Sequence, residues 1–189
     1  MFAYEHVGHL FYGRRRKTVL LVILLSFCSG CTENPAADTP GAARNDLSAM
    51  QITRMTIGDH QFEVWLAKSN RQRELGLMRV KPEELSSFQE PTGRGLSDIH
   101  RGMLFVFPFE QPLSFWMYNT ITPLDIAYIR NDGRIVGIHT MAPLETRTYP
   151  SGEPARFALE VKAGLFASIG VKVGDRVQIP ESVLKDLPR

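Results

Sequence analysis

The chain has 189 residues, 43% hydrophobic and 22% charged, which suits one packed domain and excludes an intrinsically disordered chain. Its formal charge of +2 comes from the first 30 residues; without them 18 Lys and Arg face 19 Asp and Glu, and no basic face for nucleic acid is implied. Beyond Cys31 there is no cysteine, which excludes disulfides, a cysteine nucleophile and a cysteine metal site from the domain that follows.

Residues 1–30 have the three parts of an export signal. The basic cluster RRRK precedes the apolar run VLLVILLSF (19–27), and small residues with a cysteine, CSGC, follow. Nine residues are too few for a membrane span, which needs about 20. The end resembles a bacterial lipobox: Ser29 and Gly30 precede Cys31, the expected site of lipidation, although Cys28 stands where that pattern usually has Leu. The alternatives are an ordinary cleaved signal peptide or an uncleaved anchor. Residues 31–49, rich in Ala, Pro, Asp and Asn, read as a flexible tether. The expected location is therefore outside the cytoplasm, facing the periplasm and held to the membrane through Cys31.

A single globular domain is expected over residues 50–189. MQITRMTI and QFEVWLA are β-like runs around a turn at Gly58-Asp59-His60, with Trp65 on the more polar face. Ser69 and Gln72 form a capping box for a short helix that Gly76 ends or bends, and Pro82 opens another in KPEELSSF. The Gly-rich stretch 89–102 reads as an exposed loop. Four dense strand candidates follow: GMLFVF, LSFWMY, LDIAYIR and RIVGIHTM, with Pro108, Pro112, Pro123 and Pro143 between runs and a turn at Asn131-Asp132-Gly133. FALEVKAG is a strand, AGLFASIG a short helix and KVGDRVQIP a hairpin-like pair. The fold class is mostly β: a compact, mainly antiparallel sheet or small barrel with two or three short helices.

No P-loop, G-x-S-x-G, H-E-x-x-H or G-x-G-x-x-G occurs, and His60, His100 and His139 lack ligand spacing, so no cofactor or metal is expected. His100, in the Gly-rich stretch, reads as a solvated loop residue. Asp125 and Glu160 are carboxylates inside apolar runs. As a pair in one cleft, with Arg79 or Arg156 as counter-charge, they would suit acid–base chemistry. Alternatively Asp125 accepts hydrogen bonds at a turn, with Asn119, Thr120 and a distant Arg as partners, and Glu160 faces solvent beside Lys162. Trp116 and Tyr118, two apart on a strand, make either a stacking platform or core.

The motifs RELGLMRV, RGMLFVF, FWMYNTITPLDIAYI, NDGRIVGIHTM, PARFALEVKAG and GVKVGDRV, in that order, resemble a large prokaryotic family known as domain of unknown function 192. The resemblance covers roughly residues 50–180 and implies a compact, β-rich, often exported domain without a defined reaction. Two departures stand out: the stretch 89–101 looks longer than the family's usual link, and Tyr118 stands where many members carry Lys. The polar or aromatic members of the shared motifs are Arg79, Trp116, Asn119, Thr120, Asp125, Arg156 and Glu160, which become the ligand-binding candidates.

Three functional readings remain at this point. The first is a non-catalytic envelope module that binds a small polar ligand, a glycan or an envelope protein. The second is a hydrolase or isomerase using Asp125 and Glu160 as acid and base. The third is a stable β domain that presents its loops to a partner.

Overall fold

The computed structural model describes residues 43–185 together with Leu187 and Pro188. The export signal, Cys31 and the first part of the tether lie outside the described residues. Eight strands form one sheet: β1 (Ile52–Ile57), β2 (His60–Ala67), β3 (Phe88–Thr92), β4 (Gly95–Phe115), β5 (Leu124–Ile129), β6 (Ile135–Met141), β7 (Tyr149–Lys162) and β8 (Val177–Gln178). Three short helices, α1 (Asn70–Leu75), α2 (Leu165–Ser168) and α3 (Glu181–Leu184), lie between or after them. The order across the sheet is β6-β5-β7-β4-β2-β1-β8, with β3 pairing β4 off this path. All strand pairs are antiparallel except β2 with β4, which is parallel.

The sheet curls until its two ends meet. Gly174 N–H donates to Ile135 O, Ile135 N–H to Asp175 O and Val177 N–H to Gly133 O, all within 2.8–2.9 Å. Gly133 is required here: its φ is +83°, and a Cβ would lie 2.5 Å from Val177 O. KVGDRVQIP is thus not a hairpin with itself. Its strand β8 pairs with β1.

Alternation along the strands gives each sheet face its own core. One holds Val64, Leu104, Ala127, Phe157, Leu159 and Val161, closed by Phe166 of α2. The other holds Trp65, Met103, Phe105, Ile126, Tyr128 and Ala158, covered by Leu77, Val80, Leu85, Leu113 and Met117. Burying each large side chain contributes ~1.5–3 kcal/mol, so both faces of the central strands are committed to packing. That is why Trp65, expected on a polar face, is buried.

The sequence misjudges β4. It runs for 21 residues through Pro108 and Pro112, joining the two expected strands, and ends at Phe115. Proline cannot donate to a ladder, and where Pro112 faces Pro154 and Ser114 faces Pro150 the pairing with β7 shifts register. The prolines mark bulges inside one strand, not breaks between two. The Gly-rich stretch after Gln89 is likewise ordered: Phe88–Thr92 pairs back onto Gly95–Ile99 as a hairpin. Gly102 is needed where β4 meets β7, since a Cβ there would lie 2.4 Å from Glu160 O.

The end of the expected tether is also packed. Asn45 Nδ2 donates to the carbonyls of Gln72 and Gly76, both at 2.9 Å, satisfying the C-terminal end of α1. Leu47 and Met50 join the core, and Arg44 pairs with Glu84 at 2.6 Å.

Candidate functional site

Three residues other than glycine hold positive φ among the described residues: Arg79 (+59°), Asn119 (+56°) and Leu144 (+60°). Such conformations cost free energy in arginine and leucine and persist where surrounding contacts hold them. All three converge on one place. Arg79 N–H donates to Asn119 O, Leu144 N–H to Thr120 O and Met117 N–H to Glu145 O, each at 2.9 Å. Three segments, 77–80, 116–122 and 143–147, are thereby stitched together beyond the end of β4.

The middle segment is anchored from below. Met117 is fully buried, Thr120 N–H closes a turn onto Met117 O at 3.0 Å, and the buried Thr122 Oγ1 donates to Val80 O at 2.7 Å. With Met117 pinned inward, its neighbours Trp116 and Tyr118 turn outward. They are 49% and 44% exposed, and their rings stack with centroids 5.0 Å apart at 25°. Because β4 ends at Phe115, the pair stands on a turn and not on a strand, and it is surface, not core. Ile121 and Leu144, also exposed, extend the apolar patch.

The polar groups around this patch are unequal. Glu145 and Arg147 pair at 2.8 Å and engage the Tyr149 hydroxyl. Glu145 is held below the usual carboxylate range by its hydrogen bonds with Tyr149 and Arg147. Glu84 is occupied by Arg44, which also donates to Arg79 O at 3.3 Å. Arg79 has neither an ion pair nor a side-chain hydrogen bond among the described residues, and its Nε is buried without an acceptor. The half-buried Asn119 carboxamide is likewise without a hydrogen bond there.

Four of the seven candidates, Arg79, Trp116, Asn119 and Thr120, therefore lie together. The other three do not join them. In the pairing of β5 with β7, Asp125 faces Val161 and Ile126 faces Glu160. Directly opposed residues share a sheet face, so Asp125 and Glu160 lie on opposite faces. They cannot flank one substrate, and the acid–base pair is ruled out by the register. Neither Arg79 nor Arg156 serves as their counter-charge.

Asp125 is a structural acceptor. Its Oδ1 takes a bond from Thr140 Oγ1 at 2.7 Å and its Oδ2 from Phe166 N–H at 3.2 Å, tying β5 to β6 and to the first turn of α2. Asn119 and Thr120, its expected partners, play no part. Arg156 is a clamp: it donates to the carbonyls of Phe107, Pro108 and Pro188 and to Asn131 Oδ1, joining the β4 bulge, the β5–β6 turn and the C-terminal segment.

Glu160 does not face solvent, as its alternation beside Lys162 suggested; it is 4% exposed, between Met103 and Ile126 on the covered face. Burial pushes its carboxyl up to about 8, so the acid is held in the protonated form at neutral pH. His100 is also buried, with Nδ1 2.9 Å from Ser87 Oγ and its ring against Phe62. Desolvation first, and then His60, lower its pKa. No carboxylate is hydrogen-bonded to this ring among the described residues, so the Ser87–His100 contact lacks the orienting third member of a triad.

A groove of about 720 Å³ lies elsewhere, between the β1–β2 turn, the β5–β6 turn and residues 169–178. Two of its three acids are occupied locally: Asp132 Oδ1 accepts from Arg134 N–H and Asp175 Oδ2 from Lys172 N–H. These are turn-forming roles.

Comparison with known proteins places the chain in a family. The model of DUF192, described as Uncharacterized ACR, matches residues 53–179. A protein of unknown function from Novosphingobium aromaticivorans DSM 12444 is 30% identical, with 72% of this chain and 91% of that one covered at a TM-score of 0.59. A protein from Sinorhizobium meliloti 1021, named as a candidate transcription regulator, is 33% identical, with 66% and 89% covered at a TM-score of 0.54. No curated protein matches the chain.

Proposed function

The chain belongs to the uncharacterised DUF192 family, and from that premise we propose that it is a non-catalytic binding module of the cell envelope. In this reading the lipidated Cys31 anchors it to a membrane, and the Trp116–Tyr118 surface receives a small polar ligand, favoured here as a glycan. The observation that carries the proposal is the exposed, near-parallel stack of two aromatic rings on a turn held by backbone hydrogen bonds from both neighbouring segments. Sugars present C–H faces that pack on aromatic rings, while their hydroxyls seek amide and guanidinium groups. Asn119, next to Tyr118 in the turn, supplies the amide.

Pre-organisation supports the same reading. A platform whose backbone is already fixed loses little conformational entropy on binding. An acid–base enzyme is disfavoured because the two candidate acids are separated by the sheet. A thermal-shift screen of the full chain in detergent against envelope sugars and peptidoglycan fragments tests the proposal. Saturating ligand at a hundred times its Kd stabilises the fold by about 2.7 kcal/mol, and Trp116→Ala should abolish that shift without lowering the melting temperature of the free protein. A screen with no stabilising glycan, or one whose hit is indifferent to Trp116→Ala, would remove the basis for this function.

A further inference from the structure

The same surface carries information about the charge of its ligand. We infer that the ligand bears a carboxylate and that Arg79 is the residue that binds it; this inference rests on the Trp116–Tyr118 surface being a glycan platform.

Arg79 is placed by its backbone, not by a side-chain contact. Its N–H donates to Asn119 O at 2.9 Å, which sets its Cα beside the tip of the turn that displays the aromatic stack. The residue is held at φ +59°, a conformation that disfavours arginine on steric grounds. A fixed, strained backbone under a long cationic side chain makes sense if the side chain has a task that needs that position.

No such task is visible within the fold. Arg156 donates to four acceptors and Arg44 pairs with Glu84. Arg147, across the patch, is neutralised by Glu145 at 2.8 Å. Arg79 alone of these four has no acceptor among the described residues, and its Nε–H is buried unpaired. A guanidinium presents donors in a fixed fork matched to a carboxylate. An incoming carboxylate would provide the missing acceptor once the side chain turns toward the stack, and the paired Glu145–Arg147 would leave the surface with one uncompensated positive charge for it. A neutral sugar would use the rings and leave that charge unanswered. A sugar acid uses both.

Two disaccharides with the same pair of rings separate these cases: N-acetylglucosaminyl-N-acetylmuramic acid, which carries a lactyl carboxylate, and chitobiose, which does not. Calorimetric titration of the full chain in detergent at low salt should give at least tenfold tighter binding of the acid, a preference that shrinks as salt rises. Arg79→Gln should erase the preference by weakening the acid alone, and esterifying the carboxylate should do the same with the protein unchanged. Trp116→Ala should weaken both sugars. Equal binding of the two sugars, unaffected by Arg79→Gln, overturns the carboxylate inference while leaving the aromatic platform in place. Binding of neither sugar overturns both. The esterified ligand keeps the test decisive even if the Arg79 variant folds poorly.

Discussion

Replacing Glu160 with Gln should change how stability depends on pH. The side chain is buried between Met103 and Ile126 with no hydrogen-bond partner among the described residues, and burial raises its pKa from 4.5 to about 8. Between those values the unfolded chain releases the proton while the folded chain keeps it. The unfolded state therefore binds fewer protons, and stability falls as pH rises through this window. Below the lower value the penalty vanishes; above about 8 both states are ionised and it stops growing. Each pH unit within the window costs about 1.4 kcal/mol, so the full penalty is on the order of 5 kcal/mol and that at pH 7 on the order of 3 kcal/mol. Glutamine is close in shape and never ionises. Urea unfolding followed by circular dichroism at pH 5, 6, 7, 8 and 9 should show the variant gaining on the parent by about 1.4 kcal/mol per unit up to pH 8, then levelling. The slope is the test, because any fixed cost of burying the amide is independent of pH. A difference that stays constant from pH 5 to 9 would mean that Glu160 ionises in the folded protein as it does in the unfolded one, and the burial argument would fail.

Other substitutions separate support from site. Asp125→Ala leaves the Thr140 hydroxyl and the Phe166 N–H without their acceptor; it should cost ~2–4 kcal/mol, seen as a lowered melting temperature, and leave the ligand affinity of the surviving folded protein unchanged. Arg156→Ala removes the clamp on four acceptors and should cost roughly 1–3 kcal/mol in urea unfolding, again without touching binding. Ser69→Ala breaks the capping box that starts α1 and should cost about 1 kcal/mol in the same assay. For the anchor, cells fed labelled palmitate should mark the parent chain but not Cys31→Ala; label on the variant would refute lipidation at that residue.

The sequence was most informative where the determinants are local. The Ser69–Gln72 capping box and the Asn131-Asp132-Gly133 turn appear where they were read, because each depends on a few adjacent residues. It was least informative where register decides. Asp125 and Glu160 each interrupt an apolar run, but only the alignment of β5 with β7, a contact between segments 35 residues apart in the chain, places them on opposite faces. Pro108 and Pro112 look like strand ends because proline breaks a regular ladder; a bulged strand absorbs them. The candidate surface was half legible. Asn119 is a residue type that tolerates positive φ and Trp116-x-Tyr118 suggests a shared side, but arginine and leucine carry no such signal, so the convergence of Arg79 and Leu144 on that turn emerges only in three dimensions.

The most direct test of the platform is acrylamide quenching of tryptophan fluorescence with and without peptidoglycan disaccharide. Trp65 is buried and Trp116 is 49% exposed, so the accessible signal belongs to Trp116, with Trp116→Phe as the blank. A ligand seated on the Trp116–Tyr118 stack should shield the ring and lower the quenching constant in a saturable way. Quenching that is unchanged at concentrations where the disaccharide is bound by other measures would contradict the central claim.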